Sequence, residues 1–176
     1  MIKSLNIIIL FYLAITFINC SNRQEVISFP NAGYEFNIPE WAEQKLKDKN
    51  DFYLSFPIIN SAEDKVSFRS FEKSKYSGFE NFENWAIKKY KIGQHPDWSI
   101  FDRILSIEKN SDFGKLGNSY KTKILSNKDG NEIICCYVLF ETNKSYVWIN
   151  YISNQDTYDK NYGKFVQLVN SIKKTK

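Results

Sequence analysis

The chain has 176 residues, with 24 lysines and arginines set against 20 aspartates and glutamates, 16% aromatic residues and three cysteines. A formal charge of +4 without a dense basic block excludes a nucleic-acid-binding reading, and so few cysteines exclude a disulfide scaffold. The length suits one domain that buries its own core without cross-links.

The N-terminal segment carries one cation, Lys3, followed by an apolar run from Leu5 to Ile18 that ends at Asn19-Cys20-Ser21. A positively charged start, about 7 to 15 apolar residues and a processing site make a signal peptide, whereas a spanning helix needs about 20 apolar residues. Phe17-Ile18-Asn19-Cys20-Ser21 resembles the lipobox of bacterial lipoproteins, in which a cysteine is the first residue of the mature protein. The resemblance implies removal of residues 1–19, diacylglyceryl on the Cys20 sulfur and attachment to a membrane through that lipid. Asn19 stands where the family usually has Gly, Ala or Ser. Each buried methylene contributes about 0.8 kcal/mol, so one acyl chain holds marginally and two or more hold stably. Ser21 after the cysteine is compatible with outer-membrane delivery, where aspartate would argue for inner-membrane retention. The expected location is therefore the bacterial cell envelope, with the outer membrane favoured over the inner. No later apolar stretch reaches spanning length: the longest, Ile133 to Phe140, breaks at Glu141-Thr142-Asn143.

Residues 20–25 read as a short lipid-attached polar tether, and residues 26–174 as a single globular domain without internal repeats. Val26 to Phe29 and Tyr34 to Ile38 are strand signals separated by Pro30-Asn31-Ala32-Gly33, a hairpin spacer. The lysines of Lys45-Leu46-Lys47-Asp48-Lys49 are mixed with acid or sit on a solvated helix face. Asp51 to Pro57 and Lys65 to Phe71 are two more strands, with Val66 and Phe68 on one face and Ser67 and Arg69 on the other. Ser77-Gly78-Phe79-Glu80 has the spacing of a capping box and opens a helix expected from about 78 to 91, stopped by Gly93 and Pro96. Strands resume at Trp98 to Glu108 and Asn118 to Leu125, followed by the turn Asn127-Lys128-Asp129-Gly130. Ile133 to Phe140 is apolar on both alternating faces and so, more weakly, is Tyr146 to Ile152, which places these strands centrally with a layer on each side. Tyr158, Tyr162, Phe165, Val169 and Ile172 form the stripe of an amphipathic helix, with Lys173 and Lys174 near its negative end.

The opening Tyr34-Glu35-Phe36-Asn37-Ile38-Pro39-Glu40-Trp41 and the closing run from Tyr146 to Lys173 resemble the PsbP/Mog1-like superfamily, including its PsbP-related and DcrB-like bacterial lipoproteins. The resemblance implies an α+β fold, an antiparallel sheet with helices packed on both faces in an α/β/α sandwich. The two-sided apolar strands require the same arrangement on their own. Family members include photosystem accessory subunits, a Ran-binding nuclear factor, secretion chaperones and lipoproteins, and no family binding residue can be matched to this chain. Fold alone does not supply function.

The single histidine, His95, lies in His95-Pro96-Asp97-Trp98 without a nucleophile motif, so a proline turn is the reading and no catalytic residue is assigned. No cofactor is implied, and no metal site either, since two strand thiols and one remote imidazole do not make a ligand set. Asp156, Asp159 and Asn161 lack the glycine turn and terminal glutamate of a calcium loop and read as decoration of a helix start. Cys135 and Cys136 are strand neighbours that point to opposite faces and should stay reduced. Trp41 and Trp98 follow a proline or a proline loop rather than a packing period, so they and His95 are the candidate partner contacts. The expected function is a lipid-anchored, non-catalytic binding or accessory module that contacts an envelope protein or a small ligand and no nucleic acid. The competing readings are a toxin-immunity lipoprotein and a hydrolase using His95.

Overall fold

The computed structural model describes residues 25–47, 51–57, 64–76, 78, 81–90, 103–109, 113–128 and 130–176. Cys20, Ser77, Glu80, His95 and Trp98 lie outside the described residues. Ten strands and two helices follow in order: β1 (Val26–Phe29), β2 (Tyr34–Asn37), β3 (Gln44–Lys47), β4 (Asp51–Ser55), β5 (Lys65–Glu72), α1 (Phe82–Tyr90), β6 (Arg103–Lys109), β7 (Ser119–Lys128), β8 (Asn131–Glu141), β9 (Ser145–Asn154), α2 (Gln155–Asn170) and β10 (Lys173–Lys174). Seven of the strands form an antiparallel sheet in the order β3-β4-β5-β9-β8-β7-β6, and β1-β2-β10 form a small second sheet.

The core forms in two halves because β8 and β9 are apolar on both faces. Cys136, Val138 and Phe140 alternate with Cys135, Tyr137 and Leu139, and the two sets belong to different hydrophobic clusters. The first cluster packs Phe52, Phe68, Val138 and Ile149 against Phe36 of the small sheet and against Phe165, Leu168 and Val169 of α2. The second packs Leu139, Tyr146 and Trp148 against Phe82, Trp85 and Ala86 of α1. Helices thus cover both faces of the large sheet, as the two-sided strands require. No helix among the described residues is long and apolar enough to cross a membrane.

Three segments depart from the sequence reading. Gln44–Lys47, read as solvated lysines, is a strand whose four residues pair with Ser55 through Phe52 of β4, so an adjoining strand edge outweighs weak local preference. The first helix begins at Phe82 rather than near 78, because the Asn81 side chain accepts the Asn84 amide at 2.9 Å and caps it there. Lys173 and Lys174, expected beside the helix end, form β10 and pair with Glu35 and Tyr34, closing the small sheet.

The hairpin of β1 and β2 is fastened to the turn between β8 and β9. Thr142 Oγ1 donates to the Ala32 carbonyl at 2.7 Å, and Lys144 Nζ donates to the Pro30 carbonyl at 2.8 Å. Gly33 sits between them at φ +75°, and a Cβ there would stand 3.0 Å from Thr142 Oγ1. Gly33→Ala should cost about 2 kcal/mol, from the left-handed backbone and the displacement of Thr142, read as a lower urea midpoint with an unchanged slope.

At the far edge of the large sheet, β6 pairs with β7 through a register shift between Ile104 and Ser106. Leu105 and Ile107 on this edge are 42% and 49% exposed.

Candidate functional site

Strand register carries residues from five strands onto the α1 face in ordered rows. One row runs Lys65, Ile152, Cys135, Ile124 across β5, β9, β8 and β7, and the next runs Tyr53, Ser67, Asn150, Tyr137 across β4, β5, β9 and β8. A third pairs Arg69 with Trp148 and Trp148 with Leu139. Phe82, Trp85 and Ala86 of α1 share a cluster with Tyr146, Leu139 and Tyr120, where Trp85 stacks on Tyr146 at 4.8 Å between ring centroids. Beside this contact, the first two rows and the Arg69–Trp148 pair line a cleft of about 490 Å³. That volume lies within the range of small-molecule sites, roughly 300 to 1,000 Å³.

Tyr53, Lys65, Ser67 and Arg69 make the β4–β5 side of the cleft, whereas Ile124, Ile133, Cys135 and Tyr137 make a mostly apolar floor on β7 and β8, bordered at the end of β7 by polar Ser126 and Asn127. Trp148, Asn150 and Ile152 of β9 lie between them. Lys65 and Arg69 are the charged side chains among the described lining residues, and no carboxylate is among these. Asn150 Oδ1 is buried with no hydrogen-bond partner among the described residues, a cost that a ligand polar group would offset.

The opposite face is closed around a buried carboxylate. Asp64, 1% exposed, accepts from Thr157 Oγ1 and Asn161 Nδ2, both at 2.7 Å, and from Tyr151 Oη at 3.3 Å. Burial pushes the Tyr151 phenol above its usual range, so it remains the donor. Asn161 is therefore a core hydrogen-bond donor and not decoration of a helix start, while Asp156 and Asp159 are exposed. This satisfied network ties α2 to the start of β5. No group of three His, Cys, Asp or Glu among the described residues is placed to hold a metal ion.

The two neighbouring thiols diverge as strand alternation requires. Cys135 lies on the cleft floor and Cys136 in the cluster beneath α2, and both are buried thiols outside any disulfide. Burial raises the Cys136 thiol to about 12, which leaves essentially no thiolate at neutral pH. Iodoacetamide should leave Cys136 unmodified in the native protein, and the intact mass should show no disulfide; rapid alkylation of Cys136 would contradict its placement.

Among the partner contacts proposed from sequence, Trp41 is half-buried and stacks on Phe56 with ring centroids 4.1 Å apart. It belongs to the face opposite the cleft. The sequence reading did not single out the cleft residues. Their signal was present as polar Ser67, Arg69 and Asn150 on one face of strands that are otherwise largely apolar.

Neither a protein-family model nor a curated protein matches the sequence. Solved structures do match. The yeast Saccharomyces cerevisiae Ran-binding protein Mog1p aligns with a TM-score of 0.55 and 6% identity over 86% of this chain and 95% of its own. Cyanobacterial PsbP (CyanoP) from Synechocystis sp. PCC 6803 aligns with a TM-score of 0.53 and 12% identity over 85% of this chain and 91% of its own. The fold is PsbP/Mog1-like. A Bacteroides thetaiotaomicron protein also matches, with a TM-score of 0.53 and 10% identity over 88% of this chain. The present chain spans about half its length, 49%. Within the PsbP/Mog1-like frame the small sheet and α2 seal one face, and the short α1 leaves the cleft beside it on the other.

Proposed function

We propose that the chain is a non-catalytic binding or accessory module of the bacterial cell envelope, tethered by lipid on Cys20 and taking its ligand in the cleft beside α1. The cleft carries this reading, because an apolar floor bordered by a few polar groups is the usual build of a small-molecule site. Mog1p is a Ran-binding protein, so the fold serves a binding task in one structural neighbour. For a protein partner the proposed contacts are Trp41, His95 and Trp98.

The tether is tested separately. Cys20→Ala should abolish fatty-acid labelling and move the protein from the carbonate-washed membrane to the soluble fraction. A variant still labelled and still membrane-bound would refute attachment at Cys20. The binding reading itself fails if the full chain shows turnover that disappears in a well-folded His95→Ala variant.

A further inference from the structure

The middle row of the cleft is aromatic at its two ends and polar but uncharged between them. Tyr53, Ser67, Asn150 and Tyr137 stand side by side on β4, β5, β9 and β8, and all four line the cleft. From β4 to β8 is three strand spacings, about 14 Å, room for two linked pyranose rings lying across the strands. Asn150 Oδ1, buried and without a hydrogen-bond partner among the described residues, is an acceptor, so the group that satisfies it must donate. A carboxylate only accepts and would leave it unsatisfied. Arg69 pairs in register with Asp51, a residue of opposite charge, and Lys65 is exposed and already solvated, so neither cation makes the cleft call for an anion. A hydroxyl both donates and accepts, so a polyol can serve Asn150 as donor and the Ser67 and Tyr53 hydroxyls in either sense. The C–H face of a pyranose is apolar and packs on aromatic rings, which Tyr137 and Trp148 supply with centroids 5.1 Å apart.

We propose that the cleft binds a neutral disaccharide unit, one hydroxyl donating to Asn150 Oδ1, others bonded to Ser67 and Tyr53, and a sugar face against Tyr137 and Trp148. The proposal rests on the reading of the cleft as a binding site and adds the class of ligand.

Titrating cellobiose, maltose, lactose and chitobiose into the full chain, with octanol and the capped amide N-acetylalanine methylamide alongside, separates the site from its ligand class. At least one disaccharide should saturate and shift the Trp148 indole resonance, assigned with Trp148→Phe. It should bind at least about fivefold more tightly than octanol or the amide, the net worth of one hydrogen bond. Asn150→Leu keeps the size of the side chain and removes the unpartnered acceptor, so it should fold as the parent does and weaken that disaccharide by about fivefold. Should Asn150→Leu fail to fold, Ser67→Ala at its half-buried position should weaken the same disaccharide by a similar factor. Disaccharide binding untouched by these variants would put the sugar elsewhere and overturn the assignment. Octanol or the amide binding as tightly as every disaccharide would overturn the ligand class while leaving a binding cleft. Binding of none of them would overturn both the ligand class and the site.

Discussion

Trp85→Ala should lower the unfolding free energy by about 3 to 5 kcal/mol, the cost of truncating a large aromatic side chain in a core. Trp85 is fully buried, stacks on Tyr146 at 4.8 Å with planes 16° apart, and also meets Phe71 and Phe82. A nine-residue helix has little stability alone, so this contact is a principal reason that α1 stays on the sheet. Equilibrium unfolding in urea gives the loss directly, and Trp85→Phe, which keeps a ring against Tyr146, should recover at least half of it. Because Trp85 anchors α1 to the sheet, amide exchange should also accelerate across α1 in the alanine variant. A loss below about 1 kcal/mol, typical of an unremarkable surface change, would mean that the ring is not anchoring the helix.

Asp64→Ala should cost about 3 kcal/mol, since it removes the common acceptor of three buried donors; Tyr151 and Thr157 keep weaker bonds to the Tyr158 and Asn154 carbonyls, while the Asn161 amide loses its acceptor. The size depends on orphaned donors rather than on lost charge, and a double-mutant cycle separates the two. Asp64→Ala with Asn161→Ala should lose clearly less than the sum of the single variants, because the second change removes a donor already stranded. Additive losses in urea unfolding would show that Asp64 and Asn161 do not act as a unit.

The sequence made the centre of this molecule legible and its margins much less so. Residues 133–140 and 146–152 carry apolar side chains on alternate faces, and that pattern alone required two covering layers and sent Cys135 and Cys136 apart. The stripe of Tyr158, Phe165 and Val169 likewise fixed the buried side of α2. By contrast, Gln44–Lys47 has no strand signature, and its pairing is decided by the free edge of β4. Asp64 and Asn161 are 97 positions apart, so nothing local to either residue marks the bond between them. The cleft was hidden for another reason: its lining comes from five strands that are brought side by side only by the register of the large sheet. Polar residues interrupting an apolar face were its only trace in the sequence.

The irregular edge strand β6 bears on how the protein behaves at high concentration. A flat terminal strand with exposed apolar side chains is a template on which other chains add, and Leu105 and Ile107 supply such side chains. The shift between Ile104 and Ser106 interrupts the regular ladder within this seven-residue strand. Arg103 and Lys109 close its two ends with charge of one sign, so an antiparallel copy in full register would set like charges opposite each other. The edge thereby keeps its greasy side chains without offering the uninterrupted seam that fibrous self-assembly requires.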